Sequence, residues 1–175
     1  FAVGDATGPP YFTHGCEAAA KVAVAAALLH LPGRYERATL PWCTFTDPEL
    51  AHAGATEGAL RARGQRYAVY RFPYAKLDRA LVDGATTGEV KLFVSGRGPI
   101  LGASVLGARA GELCGELALA IRAKLAVARL ATTVHPYPTY ALALQRAADQ
   151  WYLRLLSRPL VALIRLAFGF RGRPP

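Results

Sequence analysis

Three places in this 175-residue sequence combine residue types that could do chemistry. The first is Gly4-Asp5, at the end of the apolar run Phe1-Ala2-Val3. A carboxylate beside a glycine can accept hydrogen bonds from the hydroxyls of a sugar or polyol brought close to the backbone; it can equally bond its own turn. The second is Phe12-Thr13-His14-Gly15, where an alanine-rich run begins. Unpaired backbone N–H groups and the positive end of a helix dipole there suit an anionic or electron-rich ligand atom, with ordinary capping by Thr13 as the plainer alternative. The third, His135-Pro136-Tyr137-Pro138-Thr139, is the most informative. Its two prolines stiffen the segment, a helix is expected to follow, and imidazole, phenol and hydroxyl groups able to exchange protons or polarise a substrate stand close together. A helix connection with Tyr137 packed in the core is the competing reading.

Other candidates carry less. Gly96-Arg97-Gly98 with Gly102 has the look of a phosphate loop, but a dinucleotide fingerprint opens a helix and this stretch enters a strand, so a hairpin turn is expected. His14, His30, His52 and His135 show neither metal-ligand spacing nor a carboxylate-bearing motif, and no metal site is expected. Cys16, Cys43 and Cys114 are an odd count at wide spacing, without the CxxC pairs of a zinc site or a disulfide framework.

The elements that must hold these groups can be read in outline. Phe1–Val3 reads as a strand and Cys16–Leu29 as a helix, closed by Pro32 and Gly33. After a linker over Arg34–Thr39, Leu40–Phe45 reads as a strand. Asp47-Pro48 has the form of a helix N-cap followed by proline, and Thr56-Glu57 opens a short helix that stops at Gly64. Alternating patterns over Arg66–Phe72, Val90–Val94 and Ile100–Leu106 predict antiparallel strands. Helices are expected over Glu112–Leu130 and from Thr139 to about Leu156. Strands first and helices afterwards predict an α+β domain, an antiparallel sheet with helices on one face, preceded by a strand–helix unit.

Composition bounds the function. Hydrophobic residues make up 53% and charged residues 19%, enough apolar surface for a packed core and unlike a disordered chain. The formal net charge is +9, yet the basic residues form no long blocks, and no nucleic-acid partner is expected. The chain holds no methionine and opens directly on an apolar run, as expected of a piece of a longer protein. The sequence shows no charged segment leading into an apolar stretch with a small-residue cleavage site, and the cytoplasm is the expected compartment.

Several of these motifs, in this order, resemble the C-terminal part of the pyridine nucleotide-disulfide oxidoreductases, the mercuric-reductase-like members above all. The resemblance rests on Phe1-Ala2-Val3-Gly4-Asp5-Ala6, on Leu40-Pro41 through Phe45-Thr46-Asp47-Pro48-Glu49-Leu50-Ala51 with Gly54 and Thr56-Glu57, on Ile100-Leu101-Gly102-Ala103 with Gly107 and Gly111-Glu112, and on Pro136-Tyr137-Pro138-Thr139. It covers residues 1–152. It implies an FAD-dependent oxidoreductase that passes hydride from NAD(P)H through flavin to a disulfide or other acceptor. Residues 1–39 would be the end of the FAD domain, with Asp5 binding the flavin's ribityl chain and Thr13 and His14 near its ring. Residues 40–152 would be the dimerisation domain of a homodimer, whose proline-rich loop, with Tyr137 and His135, reaches the partner's active site. The redox-active CxxxxC and the glycine fingerprints would belong upstream.

Two departures from the pattern stand out. Many members carry a histidine before Pro-Thr and a glutamate three residues after it; here those positions are Tyr137 and Leu142. Mercuric reductases are similar in having tyrosine there, but they end in a vicinal cysteine pair where this chain ends Arg173-Pro174-Pro175.

Residues 153–175 lie outside the resemblance. Arg154, Arg158 and Arg165 fall within about 40° of one another at 100° per residue, opposite an apolar stripe. With Arg171 and Arg173 they make this extension basic, and Pro159 is expected to interrupt it. It reads either as an interfacial helix giving peripheral membrane contact on anionic lipid, or as cover for the dimer's own apolar surface. The alternative to an oxidoreductase is a stand-alone, non-catalytic module for dimerisation or membrane-surface binding.

Overall fold

The computed structural model describes all residues except 34, 36–39, 156–157 and 170–175. Five strands form one antiparallel sheet: β1 (Trp42–Thr44), β2 (Leu50–Gly54), β3 (Tyr67–Pro73), β4 (Glu89–Ser95) and β5 (Ile100–Leu106), in the spatial order β1-β2-β5-β4-β3. The β4–β5 connection is the hairpin turn expected from Ser95-Gly96-Arg97-Gly98, closed by Gly98 N–H donating to Ser95 O at 2.9 Å. The helices are α1 (Thr13–Leu29), α2 (Glu57–Ala62), α3 (Asp78–Val82), α4 (Ala110–Arg122), α5 (Val127–Thr132), α6 (Leu142–Leu155) and α7 (Arg158–Phe168).

Side-chain alternation divides the sheet into two faces. Cys43, Ala51, Val105, Val90 and Phe72 share one register row, and Ala53, Ala103, Leu92 and Tyr70 another. This face forms the core with α4, α5 and α6. Helix α4 presents Ala110, Leu113, Cys114, Leu117, Ala120 and Ile121 to it, a stripe at helical spacing. The opposite face carries the polar row His52, Ser104, Lys91 and Arg71. There Lys91 pairs with Glu57 at the start of α2, beside Tyr67 and Phe93. The expected α+β architecture is thus present.

Three local expectations are corrected. Phe1–Val3 is not a strand: it runs as irregular chain into a 3₁₀ turn, Gly4–Thr7, because no strand among the described residues lies beside it to take its backbone hydrogen bonds. Asp47-Pro48 opens no helix. The strand β2 follows instead, paired on both sides, and its Ala51 and Ala53 are small enough to let α4 approach closely.

The long helix expected over Glu112–Leu130 is two helices. Lys124 takes a left-handed φ of 52°, and the backbone beyond it turns to the sheet, where Ile100 N–H donates to Leu125 O and Val127 N–H to Gly98 O. Helix α6 ends at Leu155 and α7 begins at Arg158 with Pro159 in its first turn, where a missing N–H has no intrahelical acceptor to leave empty; residues 156–157 between them lie outside those described. Helix α3 and the 3₁₀ turn Tyr74–Lys76 complete the fold.

Candidate functional site

Loop 133–141, between α5 and α6, is held from both sides. The His135 ring is buried; its Nε2 lies 2.9 Å from Glu116 Oε1 on α4, and its Nδ1 lies 3.0 Å from Thr133 O. Both neighbours are hydrogen-bond acceptors, so either ring N–H finds a partner that ties the loop to the fold. Thr139 Oγ1 donates to Pro136 O at 2.7 Å and ties the turn to itself. Tyr137 points the other way and is 70% exposed, with Val134 beside it 91% exposed. The structure therefore separates the two residues proposed for catalysis: His135 is turned into the fold, and Tyr137 is displayed.

Helix α3 meets the displayed side of the loop. Tyr140 Oη donates to Asp83 Oδ2 at 2.9 Å, and Arg79 donates to both oxygens of the same carboxylate at 2.9 and 2.7 Å. Arg79 first, and Tyr140 second, hold Asp83 below its ordinary range. Burial and the Asp83 bond raise Tyr140. The Asp78 carboxylate at the other end of α3 raises the pKa of Tyr137, because a nearby negative charge disfavours phenolate. Tyr137 is therefore a neutral donor near pH 7. Beneath the loop, the ring centroid of the fully buried Tyr74 lies 5.6 Å from that of Tyr140, and its hydroxyl donates to Ala108 O. No sequence motif marks Asp78, Asp83, Arg79 or Glu116. Only the Arg79/Asp83 spacing, one helical turn apart, could signal α3.

The other candidate residues gather at α1. The 3₁₀ turn brings Asp5 Oδ1 to 3.8 Å from Cys16 Sγ. Gly4, at φ 70°, permits this approach, since a Cβ there would stand 3.1 Å from that sulfur. Phe12, not Thr13, is the N-cap, and it makes no side-chain cap bond, so the first N–H groups of α1 remain available to a ligand. His14 leans back instead: its Nε2 donates to Pro41 O at 2.6 Å and its ring stacks on Phe12. It forms one wall of a cleft of about 450 Å³ that also includes Lys21, Tyr35 and Arg122. An exposed carboxylate facing an uncapped helix end is a donor and acceptor set that fits the polyol chain of a flavin.

Cys43 and Cys114 offer no competing site. Burial holds Cys43 above its ordinary range, and pushes Cys114 up to about 11, leaving both as neutral packing groups. Among the described residues no cluster of three His, Cys, Asp or Glu side chains could hold a metal ion. Nor is any described helix long and apolar enough to cross a membrane.

The antiparallel sheet, the α4 stripe and the anchored loop correspond to a known domain. The pyridine nucleotide-disulphide oxidoreductase dimerisation domain matches residues 40–148. The chain belongs to that family. Its relatives include dihydrolipoyl dehydrogenase of Chlorobaculum parvum, 36% identical over 149 residues, and dihydrolipoyl dehydrogenase 3 of Pseudomonas putida, 33% identical over 147 residues. These alignments cover 85% and 83% of this chain but 32% and 31% of the relatives, so the chain spans about a third of their length. Among solved structures, LpdA of Mycobacterium tuberculosis superposes with a TM-score of 0.81 at 26% identity, covering 90% of this chain and 34% of that one. The HOCl-induced flavoprotein disulfide reductase RclA of Escherichia coli does so at 0.74 and 27% identity, covering 86% and 34%. This dimerisation domain accordingly shares its fold with those proteins.

Proposed function

We propose that the chain is the C-terminal portion of an FAD-dependent, NAD(P)H-linked disulfide oxidoreductase, in which residues 40–152 build a homodimer and present Tyr137 to the partner subunit's active site. One observation carries this reading: a buried His135, with an acceptor at each ring nitrogen, holds a loop whose exposed tip is Tyr137. Such an anchor serves a side chain that must be held out from its own fold. The exposed apolar residues Val134 on the loop and Leu81 and Val82 on α3 would be covered by a second copy.

Residues 1–39 would end the FAD domain. Asp5 would accept hydrogen bonds from the ribityl hydroxyls, and the open N-terminus of α1, at Thr13 and His14, would lie toward the flavin ring. The flavin would supply the hydride-accepting and hydride-donating chemistry. The role assigned to Tyr137 is to donate its phenolic proton as a hydrogen bond to substrate, orienting and polarising the group being reduced.

The test is Tyr137→Phe in the complete enzyme. Turnover is expected to fall by roughly 10²-fold, the lower end for losing a positioned proton donor, with flavin content and dimer mass unchanged. Loss of flavin, or undiminished turnover, would refute the placement of the loop.

A further inference from the structure

Among the described residues β3 pairs on one side only, and the start of this edge strand borders a cleft of about 380 Å³ shared with the last turns of α6. The sheet contributes Tyr67 and Ser95, which pair in register. Trp151 and Arg154 line the cleft from α6, and their spacing of three residues puts both on one side of the helix. Arg66 joins from the chain just before β3. The volume falls in the range of small-molecule sites.

Two features of this cleft point to a ligand. The first is charge. Arg66 and Arg154 are exposed, neither guanidinium has an ion pair or hydrogen bond among the described residues, and no Asp or Glu lines the cleft. Glu57, the carboxylate bonded to Tyr67, is already taken up by Arg61 and Lys91. The second feature is Tyr70, which also lines the cleft and is only 7% exposed. Its hydroxyl has no hydrogen-bond partner among the described residues. No side-chain oxygen among them is both sealed from solvent and unpartnered, so this hydroxyl keeps an opening, and the cleft provides it. A nearly buried phenol ordinarily has a partner, and a ligand oxygen in the cleft would be one.

We propose that this cleft binds a small aromatic oxyanion, a ring carrying a carboxylate or a phosphate. Arg66 and Arg154 hold the anion through charge-assisted hydrogen bonds. Tyr70 donates to one of its oxygens, and the ring lies against the indole of Trp151, a flat surface that favours another ring. The site shares no residue with the His135–Thr139 loop or with the group around Asp5 and His14. It therefore stands or falls separately from the function proposed above.

Isothermal titration calorimetry of the complete protein with phenyl phosphate and with benzoate tests this, with inorganic phosphate and phenol as controls. At least one of the two aromatic anions is expected to bind with a Kd below about 1 mM, and the tighter of them names the oxyanion. Inorganic phosphate and phenol should each bind at least about tenfold more weakly, because each lacks one part of the recognition. Arg66→Gln and Arg154→Gln should each weaken the aromatic anion about tenfold, the effect of losing one charge-assisted hydrogen bond. Tyr70→Phe should weaken it about fivefold, as a single donor is lost. Both arginines are exposed, so their variants should melt within about 2 °C of the native protein. These variants assign the measured heat to this cleft rather than to a nucleotide site elsewhere in the complete protein.

Three results would overturn the proposal. One is the absence of binding by either aromatic anion up to about 10 mM. Another is binding that survives Arg66→Gln combined with Arg154→Gln, which would place the anion elsewhere. The third is a control, inorganic phosphate or phenol, binding as tightly as the aromatic anions, which would show that ring and charge are not read together.

Discussion

Replacing Gly107 by alanine should unsettle the domain out of proportion to one methyl group. Gly107 follows β5 with a φ of 140°, where residues with a side chain are rarely found, and its N–H donates to Glu49 O at 2.9 Å. A Cβ built there stands 2.4, 2.8 and 2.9 Å from the Cε2, Cδ2 and Cζ atoms of Tyr74. That ring has no free direction: it is fully buried, its hydroxyl is bonded to Ala108 O at 3.1 Å, and it lies against Tyr140. The unfavourable backbone conformation costs about 1–3 kcal/mol. Forcing a methyl into a filled site costs about 1–3 kcal/mol more.

Taking about 4 kcal/mol together, and about 2–4 °C per kcal/mol for a chain of this size, the melting temperature should fall by roughly 8–16 °C. Thermal unfolding followed by far-ultraviolet circular dichroism measures this directly. The near-ultraviolet tyrosine signal should change as well, because Tyr74 and Tyr140 move together. A shift below about 2 °C, less than one kcal/mol at this chain length, would mean that Gly107 and Tyr74 do not meet in this way.

Two further outcomes follow from the same geometry. Gly58 lies exposed in α2, and a Cβ there meets nothing within 4 Å, so Gly58→Ala should stabilise the domain by about 0.5–1 kcal/mol in urea denaturation. His52 is buried between Ser104 Oγ at 2.9 Å and Gly54 O at 3.1 Å, and burial lowers its pKa, with the Gly54 bond opposing. The folded protein then binds fewer protons at this site than the unfolded chain. Its contribution is fully present above the ordinary histidine value of about 6.5 and is lost as pH falls through it toward the folded value. Urea midpoints between about pH 7.5 and 5, a range that brackets this titration, should drop more for the native protein than for His52→Gln, and parallel curves would count against this account.

How far the fold is legible in the sequence depends on where each element's stability comes from. Strand β5 is legible at its full extent, Ile100–Leu106, and β3 and β4 nearly so, because alternation records which side chains face the core. Helix α1 shows in its alanine content. Strand β2 does not show at all. Leu50-Ala51-His52-Ala53-Gly54 has little β propensity, and it is a strand because β1 and β5 flank it and complete its hydrogen bonds. The break after α4 is hidden for a similar reason. Nothing local at Lys124 and Leu125 announces that their backbone will pair with the start of β5.

The candidate site divides in the same way. Residue type, proline placement and periodicity are local properties, and they suffice for the α+β class, for the ordered motifs that mark the dimerisation family, and for the stiff His135–Thr139 loop with its phenol. Packing supplies the rest: it turns His135 inward to Glu116 and Tyr137 outward, and it stands Asp83 against Tyr140. Those contacts join residues 19 and 57 positions apart in the cases of His135–Glu116 and Tyr140–Asp83. Their partners are chosen by how α3 and α4 pack beside the loop, and no spacing within the chain encodes that choice.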